Sequence, residues 1–269
     1  MFEFLILPIL FITIGSFSSL VIYRLPIMKA GSSDINLFNP RSHCPKCKQT
    51  LPVKSLVPVM SFIIYRGKCS LCGLKIPYSY LYNELVHLTI GSIFFYYLGF
   101  TLIFIFSYLI FSLLYVLLVL DFKYLYLPIS LNIIFVITGM VANIFFELYL
   151  SNQYSNIVYE SSINSSILGF SLGFSSLWFI NYIYKLLKKK DGIGGGDFIL
   201  FGGIGAVLGP IALPLVMLIG SLFSILIYVI FITRNATSNE IPLGAGLICG
   251  FFIYVILKFY ELNVFYIVL

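Results

Sequence analysis

Long apolar runs constrain this chain more than any other feature of its sequence. A transmembrane helix needs about 20 apolar residues to cross ~30 Å of hydrocarbon, and a barrel strand would show period-2 alternation instead. The runs are continuous and show no such alternation, so the sequence predicts an all-α, polytopic membrane helical bundle with about eight transmembrane helices. The runs are 4–23, 85–98, 101–120, 126–148, 165–187, 197–209, 211–233 and 242–260.

Composition excludes an ordinary soluble domain. Of the 269 residues, 60% are apolar and only 10% are charged, far from the average of soluble globular proteins. The first apolar segment has no basic residues before it, so we expect it to remain as a helix and not to act as a cleaved signal peptide. We expect one helix to end and the next to begin near Gly99 and at Gly209-Pro210, where glycine and proline interrupt the apolar runs.

The distribution of basic residues predicts the orientation in the membrane. Of the 16 lysines and arginines, nine fall between Arg24 and Lys75. By the positive-inside rule the loop 24–84 should be cytoplasmic, which places Asp121 and Asp197 at the cytoplasmic ends of their helices. When the eight helices are placed in this orientation, only Lys258, in the last helix, does not fit the rule.

The 24–84 loop contains two C-x2-C pairs, Cys44 with Cys47 and Cys69 with Cys72, separated by 21 residues. This spacing suits four thiolates that close a tetrahedral zinc site, which would leave no open position and so would be structural. Two disulfides or four free thiols are the alternatives, and a reducing cytoplasm argues against disulfides. We therefore predict three parts: a first helix over 1–23, the cysteine loop, and a transmembrane domain over 85–269.

Two aspartates beside apolar runs are candidate catalytic residues. Asp121 follows LLYVLLVL, and Asp197 follows the glycine-rich stretch GIGGG. A carboxylate at membrane depth costs about 2.5–3.5 kcal/mol unless it faces water or a partner. Two such acids in one site could hydrolyse a peptide bond, one as general base and the other as general acid. Gly194 and Gly196 carry no Cβ and would let substrate and backbone approach closely.

Structural explanations for both acids stay open from the residues alone. Asp197 could cap a helix N-terminus, and Asp121 could pair with Lys123 at the membrane interface. A proton- or ion-coupled transporter would also use intramembrane acids and broken helices, but it gives no role to four cysteines. A structural scaffold of a secretion machine is a third class.

Five ordered motifs cover nearly the whole chain. They are GSFSSLVIYRLP (15–26), SHCPKC (42–47), SLVPVMSFIIYRGKCSLCGLKIPYSYLYNELV (55–86), DFKYLYLP (121–128) and GIGGGDFILFGGIGAVLG (192–209). Together they resemble the prepilin peptidases, or type IV leader peptidases, which are membrane aspartyl proteases of the GxGD class. The resemblance implies that Asp121 and Asp197 are catalytic, with Gly194-x-Gly196-Asp197 as the GxGD core.

The same resemblance implies the substrate and the location. The enzyme would remove the basic leader from type IV prepilins or pseudopilins, on the cytoplasmic side of the bacterial inner membrane. Besides these substrates, we expect membrane lipid as a partner, and we expect no nucleic acid. Related enzymes with the cysteine loop often also methylate the new N-terminus with S-adenosylmethionine, and this second activity stays open. Glu84 is a candidate for substrate positioning. Where family members often have two further acids, this chain has Lys123 and Ile129.

Overall fold

The computed structural model describes residues 3–31, 35–44, 47–146, 162–233 and 241–268. Within these ranges the chain forms nine α-helices and no strands, and eight of the helices have 14 residues or more. These eight correspond one to one with the eight apolar runs. The helices are α1 Glu3–Lys29, α2 Met60–Ile64, α3 Tyr78–Leu98, α4 Leu102–Tyr124, α5 Ile129–Phe146, α6 Ser162–Lys188, α7 Gly195–Leu208, α8 Leu213–Thr233 and α9 Leu243–Val268.

The helix lengths confirm the predicted all-α polytopic membrane fold. Four segments, in α1, α4, α6 and α8, are long and apolar enough to cross a membrane, and α5, α7 and α9 contain shorter apolar stretches. Both predicted breaks are present. Gly99 ends α3 with φ 62°, and Gly209 ends α7 with φ 79°, a left-handed backbone region that glycine enters without steric cost.

The chain divides into two compact units, residues 1–108 and 109–269. In the first unit α1 packs along α3. Their backbones come close because glycines stand at the contact: a Cβ on Gly15 would lie 2.7 Å from the Glu84 Cα, and one on Gly91 would lie 2.6 Å from the Phe11 ring. Small residues at such crossings are typical of helix pairs in membranes.

The predicted three-part division of the chain stays a prediction.

A buried polar cluster also joins α1 to α3. Ser18 Oγ lies 3.1 Å from His87 Nε2, and Asn83 Nδ2 donates to Ser19 Oγ at 2.9 Å. All four side chains are buried. Because a buried polar group without a partner is costly, these paired contacts favour one register of the two helices over others.

Two buried charged side chains anchor the loop between α1 and α3. Arg24 donates to the carbonyl oxygens of Asn36 and Pro40, both at 2.6 Å. The Glu84 Oε2 accepts the N–H of Val59 at 2.7 Å, and Val59 has a positive φ of 60° that a β-branched residue rarely adopts. The loop is therefore fastened to α1 near its start, through residues 36–40, and to α3 near its middle, through Val59.

Helix α7 is the centre of the second unit, where it packs against α5, α6, α8 and α9. With 14 residues it is only about 21 Å long, and nearly every residue from Phe198 to Leu208 is buried. Its closest neighbour is α6, because Gly169 and Gly205 bring the two backbones into direct contact. A helix that is apolar on every side needs such neighbours on every side.

The Gly169–Gly205 contact leaves no room for a methyl group, so we expect Gly205→Ala to separate α6 from α7. Overpacking of this kind costs roughly 1–3 kcal/mol, which should lower the thermal denaturation midpoint in detergent. Gly195→Ala is the matched control in the same helix, since a Cβ there meets nothing within 4 Å. Equal midpoints for the two variants would contradict this account of the packing.

Candidate active site

Asp121 lies in the last turn of α4 and is 5% exposed. Its Oδ2 accepts a hydrogen bond of 2.6 Å from the backbone N–H of Ala245, in the first turn of α9. The proposed alternative partner, Lys123, is exposed and forms no ion pair with Asp121 among the described residues. Asp121 thus pairs with the backbone of α9, at a residue 124 positions further along the chain.

Asp197 lies in the first turn of α7, where Gly194 is the N-cap residue. Its own N–H donates to the Gly194 carbonyl at 3.1 Å, and its carboxylate interacts with the Gly194 N–H. Asp197 therefore does cap the start of α7, as one of the structural explanations expected, but this interaction does not involve its whole carboxylate. The Oδ1 atom, however, is buried and has no hydrogen-bond partner among the described residues.

The two carboxylates meet beside Gly244. A Cβ on Gly244 would lie 3.1 Å from Asp121 Oδ2 and 3.2 Å from Asp197 Oδ1, so both oxygens face the same point. The structure thus brings together two acids that are separated by 76 residues in the chain. The other predicted site residues, Glu84 and the four cysteines, belong to the first unit.

Gly196 fits tightly against the connection between α4 and α5. A Cβ at this position would lie 2.9 Å from the Leu127 carbonyl oxygen, so a larger residue would push α7 away. The fully buried Asn132 donates from Nδ2 to the Gly196 carbonyl at 3.0 Å. These contacts hold the start of α7, and with it Asp197, against the segment that follows Asp121.

Asn181 of α6 shapes the loop before the GxGD sequence. Its Oδ1 accepts the N–H groups of Gly192 and Ile193 at 2.8 and 3.0 Å. Asp191 is exposed and pairs with Lys185 at 3.1 Å. Hydrogen bonds from Lys185 and then Asn181 lower the pKa of Asp191 below its usual range, and its carboxylate is exposed to solvent.

Sequence reasoning missed four residues of this site. Asn132 and Asn181 are polar amides inside apolar runs, a signal that could have identified them. Gly244 and Ala245 had no such signal. They contribute only a missing side chain and a backbone N–H, which every non-proline residue has.

The four loop cysteines converge as their spacing predicts. Their sulfur atoms all lie within 4.8 Å of one another, and the Sγ atoms of Cys44 and Cys72 are 3.7 Å apart. The edge of a tetrahedron with metal–sulfur bonds of 2.3 Å is about 3.8 Å. Each pair closes a similar turn, in which Lys48 donates to Cys44 O and Gly73 donates to Cys69 O. The cluster fits one tetrahedral metal ion.

The four thiols also influence one another's protonation. The Leu74 N–H favours the Cys72 thiolate, but desolvation and the three neighbouring thiols together raise the pKa of Cys72 to about 11. A metal ion would reverse this balance, because a coordinating thiol binds in its deprotonated form. All four cysteines are free of disulfides.

These observations define a class: a helical membrane protein with two carboxylates in one partly buried site and a separate four-cysteine cluster. Comparison with known families narrows the class. Residues 9–98 match the family described as bacterial peptidase A24 N-terminal domain, and residues 108–230 match the type IV leader peptidase family. The chain belongs to the type IV leader peptidase family.

Curated relatives extend along most of the chain. The prepilin leader peptidase/N-methyltransferase of Klebsiella pneumoniae is 30% identical over 207 residues, covering 77% of this chain and 86% of the relative. The proteins of the same name from Neisseria gonorrhoeae and Legionella pneumophila are each 28% identical. They cover 89% and 93% of this chain, and 85% and 91% of their own lengths. No solved structure matches this chain.

Proposed function

We propose that this protein is a membrane-embedded aspartic endopeptidase that removes the basic leader from type IV prepilin or pseudopilin precursors. One observation supports this best: Asp121 Oδ2 and Asp197 Oδ1 face the same point beside Gly244. Relatives named prepilin leader peptidase, at 28–30% identity over most of the chain, supply the substrate class.

The chemistry follows from the number of protons in the pair. Two carboxylates this close, with little water around them, hold one proton between them, because both cannot carry a full charge at low energy. The charged member removes a proton from water, and the water attacks the scissile carbonyl carbon. The protonated member donates to the carbonyl oxygen, which gives a tetrahedral gem-diol and no covalent intermediate with the enzyme. The peptide C–N bond then breaks as the carboxyl that took the water proton passes it to the leaving nitrogen. The other carboxylate takes a proton from the gem-diol, so the pair again holds one proton.

We assign cleavage to the cytoplasmic face of the bacterial inner membrane. The support is the charge distribution, with nine of the 16 basic residues between Arg24 and Lys75. In this orientation Asp121, near the end of α4, and Asp197, at the start of α7, lie at the same membrane surface. Glu84, which fastens the loop through Val59, would act on substrate only indirectly, by positioning that loop.

Zinc is the metal we propose for the cysteine cluster. Four thiolates in a tetrahedron are typical of structural zinc and leave no coordination site for a water nucleophile. Cys44, Cys47, Cys69 and Cys72 would hold the ion and so join two turns that lie more than 20 residues apart in the chain. The ion stabilises the loop and takes no part in hydrolysis.

The names of the relatives also include an N-methyltransferase activity. We propose that this chain likewise methylates the amino group released by cleavage, with S-adenosylmethionine as the methyl donor. The product amine of the first reaction is the substrate of the second. The acceptor must therefore be processed before it is methylated.

The acid pair can be tested by single substitutions. In detergent with a purified prepilin, Asp121→Asn and Asp197→Asn should each lower the rate of leader removal by a factor of about 10² to 10⁴. Each variant loses one of the two proton-transfer groups while keeping its size. Asp191→Asn is the control, because this carboxylate is exposed, and it should retain most of the parental rate. Retention of cleavage by either variant of the pair would refute the mechanism.

Metal analysis tests the cysteine cluster. Freshly reduced protein should contain about one zinc per chain, and Cys44→Ser or Cys69→Ser should lose most of it. Cys249→Ser is the matched control, since this cysteine lies in α9 outside the cluster, and it should keep the metal. Parental protein that is purified without any metal would rule out the zinc site.

Mass spectrometry of the cleaved pilin tests the methylation. With S-adenosylmethionine present, the mature N-terminus should gain the mass of one methyl group, and the uncleaved precursor should gain none. A product that keeps a free amine under these conditions would overturn the methylation proposal and leave the proposed cleavage intact.

A further inference from the structure

The first turn of α9 has a backbone donor that the helix does not use. The first helical hydrogen bond of this turn runs from the Gly246 N–H to the Pro242 carbonyl, at 3.3 Å. The Ala245 N–H precedes it and is one of the donors that every helix leaves unpaired at its start. This N–H donates to Asp121 Oδ2 at 2.6 Å, and the neighbouring Gly244 N–H also interacts with Asp121.

The two acids therefore have unequal surroundings. Asp121 receives backbone donors at the positive end of a helix, where a negative charge is stabilised. Asp197 also lies at the start of a helix, α7, and its carboxylate interacts with the backbone N–H groups of Gly194 and of Asp197 itself. Its buried Oδ1, the oxygen beside Gly244, nevertheless has no partner among the described residues, and this is the difference between the two acids. A buried oxygen that accepts no hydrogen bond is poorly suited to carry charge and well suited to carry a proton.

Gly244 sets the separation of the pair. A Cβ there would touch both carboxylates, 3.1 Å from Asp121 Oδ2 and 3.2 Å from Asp197 Oδ1, and would lie 2.5 Å from Leu127 Cδ1. Any side chain would push α9 away from α4 or push Asp197 away from Asp121. The absence of a side chain is thus what lets one point be shared by both acids.

We propose that the first turn of α9 is a third component of the catalytic site and makes the two acids unequal. The Ala245 N–H holds Asp121 as the charged member, which acts as the base toward water. Asp197 keeps the proton and donates it to the scissile carbonyl. Gly244 and Ala245 are positioning residues, because they act through the aspartates. This inference rests on the proposed peptidase function.

Ala245→Pro tests the donor directly. Proline removes the N–H and costs no helical hydrogen bond at this position, but its Cδ takes the place of the amide hydrogen and also displaces the Asp121 carboxylate, whose Oδ2 lies 2.6 Å from the nitrogen. We expect kcat for leader removal to fall at least ten- to hundredfold with little change in KM, because a hydrogen bond to a charged group is lost and the carboxylate is moved. Because the lost N–H favours the charged carboxylate, the acidic limb of the kcat/KM profile should move to higher pH by roughly one unit.

Two further variants keep the proposal falsifiable. Ala245→Gly retains the N–H, so its acidic limb should stay at the parental pH. Gly244→Ala should lose most activity while its melting curve in detergent stays cooperative. Should Ala245→Pro fail to fold, an acidic limb that moves in Ala245→Gly, or parental activity in Gly244→Ala, would still refute the proposal.

The possible results separate this inference from the proposed function. If the parent cleaves prepilin and Ala245→Pro keeps the parental pH profile, the role of α9 is refuted and the peptidase assignment stands. If the parent leaves the precursor intact under all conditions, both fall.

Discussion

The contact between α6 and α7 is the constraint on which the second unit depends. Gly169 and Gly205 allow these backbones to touch, so a 14-residue helix too short to span a bilayer alone is enclosed by its neighbours. Enclosure fixes where α7 begins. Since Asp197 lies in its first turn, the position of that carboxylate depends on packing about two turns further along the helix.

The position of the acids follows from the energetic cost of charge in an apolar environment. A carboxylate that leaves water must gain hydrogen bonds, share a proton or reach a partner. Asp121 gains the Ala245 N–H, whereas Asp197 keeps one oxygen without any donor among the described residues. An unsatisfied buried group reduces stability, and such costs are commonly retained where they serve chemistry.

The first unit differs from the second, because it contains a loop of about 50 residues whose large apolar side chains are mostly exposed and form little core of their own. This loop is held by Arg24 and Glu84, two buried charged side chains that bind loop backbone, and by four thiols that converge on one point. These contacts are directional, and they take the place of a hydrophobic core in the loop. The folding of such a loop depends more on the cysteine cluster than on the secondary-structure propensities of its residues.

Local sequence determined much of this protein: eight apolar helices, breaks at Gly99 and Gly209, the cysteine set and two acids beside apolar runs. Hydropathy and turn chemistry act over a few residues, so these features could be predicted. Only the tertiary structure decided that Asp121 and Asp197 meet, and that Gly244 and Ala245 complete their surroundings. That outcome depends on how closely helices distant in the chain approach, and its two contributors, a backbone N–H and a missing side chain, have no distinctive signature in sequence.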